Sequence, residues 1–425
     1  MSLISLTKES TAKFLYYLLP ALFFVTPLSS SAKSILLGMT VIVIIATPSY
    51  RQDLITLSAN RWCRTVPLLV LIALLGCLWS PASLAEKGLV LEKWSKLLYL
   101  PILIVGFQEL KTRQLALNAF LAAMLITCLL SCLIYYTGYL QGKMTADNLF
   151  RNHIMTGIMM SFATYLAGIF YFRQQGRMRV IYGILGLLFS YQILFINQSR
   201  TGYVVYFLLM SLLLVQMLTR RQAMLSLVLM STLFASCYYF SKPMQHGVHL
   251  VVDNLRSYQE NKDTPVGYRL QFHDFAKHLF QMHPLIGGGT GSFTYSFRTE
   301  NPVPAWIEDR QHSGRLLEPH SQYWLVAAEF GLLGLLAFAL FYAELAVIAY
   351  RLHATRPIAL ATLLVLTLGN VSDSLLFYSG SGYFFILILA LCFGEKAADN
   401  LTVSAQLIKT SHRAHNDELF TEHGL

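Results

Sequence analysis

Glu318-Pro319-His320-Ser321 sets an imidazole directly ahead of a long apolar run that begins at Tyr323. Proline favours the first turn of a helix, so His320 falls at the mouth of that helix. There it either caps the helix or, partly shielded from water, acts as a general base. Upstream, Arg269, His273 and Lys277 recur at i, i+4 and i+8, which aligns them on one helix face. Phe272, Phe275, Ala276 and Leu279 form the apolar stripe of the same segment, Tyr268–Met282. A basic stripe of this kind either meets lipid headgroups or grips a phosphate, which arginine does bidentately. Arg200 is the one charge in Asn197-Gln198-Ser199-Arg200-Thr201-Gly202, between two apolar runs. It must snorkel or pair with an anion, and its small polar neighbours favour the anion. Arg151-Asn152-His153 opens another apolar run; the triplet caps that helix or faces a cavity. Gly287-Gly288-Gly289-Thr290-Gly291 lacks the lysine and spacing of a P-loop and reads first as a tight connection, with anion binding by backbone N–H groups as the alternative.

The elements that carry these residues are apolar. Of 425 residues, 55% are hydrophobic and 13% charged, against roughly a quarter charged in soluble domains, and the mean hydropathy is +0.52. Apolar runs recur at 14–25, 35–46, 66–79, 97–107, 115–137, 154–172, 180–196, 204–218, 223–240, 323–350, 358–371 and 383–393. Only helices satisfy every backbone group across lipid over such lengths. The expectation is an all-α, polytopic integral membrane protein of about twelve transmembrane helices, the shorter runs being tilted, re-entrant or extended by their flanks. It forms a single membrane domain over 1–425.

The net charge of +10 suggests nucleic acid in a soluble protein, but here topology accounts for it. With the N-terminus inside, the short inner segments carry 17 Lys and Arg and the short outer segments 7, as the positive-inside rule requires. Both termini are then cytoplasmic and the large loop 241–320, between the ninth and tenth spans, faces outward. That loop holds seven of the twelve histidines. The first apolar run lacks a small-residue cleavage site and reads as a retained span. A cytoplasmic polar tail is expected over 395–425. The connector 80–96 is either an interfacial amphipathic helix or a solvated loop. The six cysteines form no CxxC pair, so neither a disulfide framework nor a zinc site is indicated. No DxD pair, Walker A motif or HExxH is present, so a metal-held sugar nucleotide, ATP and zincin chemistry are not indicated.

Gly267-Tyr268-Arg269, His283-Pro284-Leu285-Ile286-Gly287-Gly288-Gly289-Thr290-Gly291-Ser292-Phe293, Pro319-His320-Ser321-Gln322-Tyr323 and Glu329-Phe330-Gly331-Leu332-Leu333-Gly334 together resemble the bacterial O-antigen ligase and O-antigen polymerase superfamily. Ser199-Arg200-Thr201-Gly202 is a second match upstream, and Ser321 stands where many members carry asparagine. The resemblance implies a GT-C-like glycosyltransferase of the inner membrane with its active site facing the periplasm. Its donor is an undecaprenyl-pyrophosphate-linked glycan. In the ligase branch the acceptor is the lipid A-core of lipopolysaccharide. It implies no metal and no cofactor; the partners are these substrates and membrane lipids, with no nucleic acid. On that reading Arg200 and Arg269 hold the donor pyrophosphate, and His273 and Lys277 assist. His320 is the base that yields an inverted product, with Arg151, His153, Gln322 and Tyr323 as supporting positions. His153 is the next candidate for the base, and His312 is dispensable. Polymerase and protein O-oligosaccharyltransferase activities use the same donor. A lipid-linked glycan transporter without chemistry is the reading from a different class, but it predicts charged spans and repeated halves, which the sequence does not display.

Overall fold

A computed structural model of the chain describes residues 8–58, 60–138, 144–308 and 316–398. Lys143, His312 and the tail from residue 399 onward lie outside the described residues. Among the described residues the chain is all-helical, with one isolated bridge between Thr145 and Asn148 and no strand.

Each of the twelve apolar runs is helical, but they are not equal. Among the described residues eight helices are long and apolar enough to cross a membrane: Lys8–Leu28, Leu110–Thr137, His153–Arg173, Gly176–Phe195, Arg200–Met217, Arg220–Phe240, Gln322–Arg351 and Ser379–Ala398. Ser30–Ala46 and Pro48–Ser58 make a ninth if counted as one span bent by 91°. Cys63–Gly76 and Arg356–Ser372 are apolar but shorter. The run near residue 100 is a 3₁₀ turn, Lys96–Leu98, leading into the eight-residue helix Tyr99–Gly106. An apolar run fixes that a segment is buried in protein or lipid; about 20 residues are needed to make it a full crossing.

The helix ends gather at two faces. At one, Lys8 pairs with Asp53 at 3.0 Å, Gln108 donates to the same carboxylate, and Glu395 accepts the backbone N–H groups of His353, Ala354 and Thr355. Glu395 therefore belongs to the last helix, which runs to Ala398. At the other face Trp79 reaches Gly287, Lys96 reaches Phe377, Arg151 reaches Thr26, and His273 reaches His320. The connector after Trp79 is a helix, Leu84–Ser95, started by a Ser83/Glu86 capping box.

The described parts of the 241–320 segment, 241–308 and 316–320, fold onto this second face. Lys242–Arg256 and Pro265–Met282 each begin with a serine or threonine cap and a proline in the first turn. Phe272, Phe275, Ala276 and Leu279 are all buried, as their spacing predicts. The glycine-rich run then interlocks with a broken helix. Gln322–Arg351 is interrupted at Gly331 (φ 61°, ψ −154°), a conformation open essentially only to glycine. The break frees the carbonyls of Ala328 and Glu329, which accept from Gly288 N at 3.0 Å and Gly289 N at 2.9 Å. It also frees the amides of Leu332 and Leu333, which donate to Pro284 O at 2.8 Å and Leu285 O at 3.0 Å. Glu329 Oε1 accepts from Gly291 N at 2.9 Å. A side chain would not fit here: a Cβ on Gly287 would lie 2.3 Å from the Glu329 backbone carbon. The glycine run is thus a structural splice between two motifs, and its amides are consumed by protein rather than left for an anion.

Candidate active site

The splice seats the Gln322–Arg351 helix, and His320 stands two residues before it. Ser321 is the N-cap, so His320 itself must turn the chain. It does so at φ 55°, in the left-handed region, which costs a residue other than glycine about 1–2 kcal/mol. Such strain persists where surrounding contacts over-determine it, and here they do. The backbone N–H of His320 donates to Glu318 Oε2 at 2.7 Å. Its carbonyl accepts from His273 Nε2 at 3.2 Å. Its ring stacks on Phe272 with centroids 6.0 Å apart.

The ring's environment fixes its chemistry. Nδ1 lies 3.3 Å from Glu318 Oε1 and 3.8 Å from Asp373 Oδ1. Glu318 is buried and also accepts from Ser374 Oγ at 2.5 Å and from the Tyr378 hydroxyl. A carboxylate only accepts, so Nδ1 carries the proton. That leaves Nε2 as the lone-pair nitrogen, the arrangement in which a carboxylate orients a histidine base. Burial opposes charge on the imidazole, but the carboxylates of Asp373 and Glu318 outweigh it, and despite Arg269 they raise His320 above its ordinary value. The Tyr378 phenol is pushed up, by burial first and then by Glu318 and Asp373, and stays a donor. His273 is pushed below its ordinary value, chiefly by burial. Its partner is a carbonyl, so its Nε2 carries a proton. Glu318, His320 and Asp373 also bring one ligand atom each within 4.8 Å of one another, a donor set able to hold a cation.

Two cavities border this region, with no lining residue in common. One, of about 500 Å³, is lined by His320, Asp373 and Tyr378 together with Arg151, Ser30 and Ser381. The other, of about 260 Å³, is lined by Arg200 and Arg269 with Thr201 and Ser372 among apolar neighbours. Ser372 borders one cavity and Asp373 the other. Arg269 is one helical turn from His273 and so from the His320 carbonyl. Arg200 is placed by close packing: Gly157 and Gly202 meet backbone to backbone, so that a Cβ on Gly202 would lie 3.1 Å from Gly157 Cα. Ser199 caps the Arg200–Met217 helix through Gly202 N at 2.9 Å. An apolar groove of about 390 Å³ continues from Arg200 past Val204 and Leu208 to Phe207 and Phe234.

The expected residues therefore separate into groups. Arg200 and Arg269 share a cavity, and His320 and Arg151 share the adjoining one. His273 supports His320 from behind. Lys277 is exposed farther along its helix. His153 is exposed and does not line the His320 cavity; Asn152 caps that helix through Met155 N at 2.8 Å. Gln322 is buried and ties down the following loop, donating from its backbone to Asp373 O at 3.2 Å and accepting from Phe377 N at 3.1 Å. Tyr323 donates to Thr367 O at 2.8 Å. The partners that sequence reasoning missed are Glu318 as an orienting carboxylate, Asp373, Ser374 and Tyr378. Asp373 gave one signal, being a carboxylate at the edge of an apolar run.

The curated proteins searched include no match to this chain. A family model described as O-antigen ligase matches residues 184–339, which takes in Arg200, Arg269, the glycine splice, His320 and the Gly331 break and stops short of Asp373. Residues 184–339 thus carry the domain that marks the O-antigen ligase and polymerase superfamily.

Proposed function

We propose that this protein is an inner-membrane glycosyltransferase. It moves a glycan from undecaprenyl pyrophosphate onto lipid A-core at a site open to the periplasm, with both termini cytoplasmic. The observation that carries the proposal is the oriented imidazole: His320 Nδ1 faces Glu318 and Asp373, and its ring borders one cavity while an arginine pair borders the next.

The chemistry follows from those positions. The donor pyrophosphate lies between Arg200 and Arg269, which neutralise the charge that grows on it as it leaves. Its polyprenyl chain lies along the apolar groove beside Arg200. An acceptor hydroxyl in the His320 cavity attacks the anomeric carbon from the face opposite the pyrophosphate. The C–O bond to the lipid carrier breaks with its electron pair going to phosphate oxygen, and the hydroxyl proton passes to Nε2 of His320. One displacement inverts the anomeric centre. Glu318 and Asp373 stabilise the imidazolium while it exists, and Tyr378 keeps Glu318 in place.

The deciding experiment removes the gene and resolves lipopolysaccharide on a gel. Core bearing no glycan chains supports ligation to lipid A-core. Core bearing a single repeat assigns the chain to polymerisation instead, and unchanged lipopolysaccharide refutes both.

A further inference from the structure

Arg151 lines the His320 cavity and three lysines stand near the Ser379–Ser381 part of its lining, and nothing in the transfer chemistry above uses them. Arg151 lines the cavity; its guanidinium donates to Thr26 O at 2.5 Å and to Ser30 Oγ, while its Nε is buried without a partner. Lys93 reaches Ser379 Oγ, also on the wall, at 3.3 Å. Lys96 is only 1% exposed; it donates to the Phe377 carbonyl and lies 5.7 Å from the centre of the Tyr383 ring. Lys33, 3% exposed, stands over the same ring at 4.0 Å.

Buried cations are normally paired with carboxylates. Among the described residues none of these four forms an ion pair; exposed Glu92 is the carboxylate that bears on Lys96, while Arg151 and Lys93 bear on Lys33 as like charges. Lys33 also sits in the first turn of its helix, the end where the helix dipole disfavours a cation. Ser381 lines the cavity, is fully buried, and its hydroxyl has no partner. One cation on the cavity wall, a lysine that touches the wall at Ser379, two buried lysines grouped at Tyr383 and an orphaned hydroxyl describe a place for an anion. It is not the place already given to the donor, because Arg200 and Arg269 line the other cavity, across Ser372 and Asp373.

We propose that Lys33, Lys93, Lys96 and Arg151 form a second anion site, which holds a phosphate carried on a sugar of the acceptor, while the acceptor hydroxyl lies at His320. This rests on His320 being where transfer occurs. The two anion sites then flank the histidine, one for each substrate, and an acceptor without phosphate is a poor one.

The test is binding, which does not depend on turnover. The full chain in phosphatidylcholine nanodiscs is titrated with lipid A-core, either intact or after its phosphates are removed with hydrofluoric acid. Wild type is expected to prefer the intact form by about tenfold or more, the scale of one or more hydrogen bonds to a charged group. Lys96→Met and Arg151→Gln are expected to abolish that preference, and Ser381→Ala, which disturbs packing least, to reduce it. Each variant is scored only when it elutes as a monodisperse peak. Equal binding of the two forms by wild type overturns the proposal, as does a preference that survives in Arg151→Gln and Lys96→Met. Loss of the wild-type preference in phosphatidylglycerol nanodiscs also overturns it, assigning the site to a lipid headgroup. A preference without any transfer activity upholds the anion site and counts against the transferase reading alone.

Discussion

His320→Asn isolates the proposed base with little risk to the fold. His320 occupies φ 55°, and asparagine tolerates the left-handed region better than alanine or glutamine, so the turn into the Gln322–Arg351 helix is retained. Asparagine cannot take a proton. A positioned base contributes about 10²–10⁴-fold, which at 1.36 kcal/mol per decade is about 2.7–5.4 kcal/mol of transition-state stabilisation. The loss is expected in kcat. Donor KM is expected to hold, because Arg200 and Arg269 line a cavity that does not include the His320 ring. The assay is transfer from purified lipid-linked donor to lipid A-core by the chain in nanodiscs, with and without chelator. The pH profile supplies a second reading. The base must be neutral to act, so activity falls as pH drops through its pKa. Asp373 and Glu318 raise that pKa, which places the wild-type acid limb above the ordinary histidine value of about 6.5. Asp373→Asn removes one raising charge and must move the limb to lower pH. Wild-type kcat in His320→Asn would refute the base assignment. So would an acid limb that stays put in Asp373→Asn. Loss of wild-type activity with chelator would mean that Glu318, His320 and Asp373 act by holding a metal ion.

Other perturbations test the surrounding parts. Arg269→Ala and Arg200→Ala are expected to remove most transfer while leaving the protein inserted, with lysine rescuing poorly because a bidentate contact is lost; full activity in Arg269→Ala would remove the arginine from the donor site. His278→Ala, an exposed position on the helix that carries His273, is the control and is expected to transfer normally. Gly331→Ala places a Cβ 2.6 Å from the Leu285 backbone carbon at φ 61°. Its cost is about 1–3 kcal/mol of backbone strain before the collision and the disrupted splice are added, so a lowered Tm and poor recovery from detergent are expected, and an unchanged Tm would contradict the interlock. A cysteine introduced at exposed Asn261 is expected to react with an impermeant thiol reagent from the periplasm; labelling only from the cytoplasm would reverse the topology.

Much of this protein is determined locally and is legible in the chain. Apolar runs of sufficient length are helices in any order, because lipid and protein interior both demand internal backbone hydrogen bonds. The i, i+4 spacing of Arg269 and His273 and the stripe from Phe272 to Leu279 set one helix face without reference to anything distant. Ser321 caps the helix that follows His320, whereas Pro319, expected in that helix's first turn, lies ahead of it. Which runs are full crossings was not legible, since the lengths of 97–107 and 358–371 leave that to packing. Nor could the sequence show that Asp373, on another connection, would reach His320. The glycine run gave its flexibility but not its partner; only the Gly331 break, filled by Gly288 and Gly289, explains why both motifs need their glycines. The division of labour among the cations was likewise decided in three dimensions. Arg151 and Arg200 both precede apolar helices and look alike in sequence, yet bundle packing sends one to the wall of the histidine cavity and the other to a separate cavity with Arg269. Burial of Lys33 and Lys96 came from the same packing, because which face of a helix meets lipid and which meets neighbouring helices depends on elements far away in the chain.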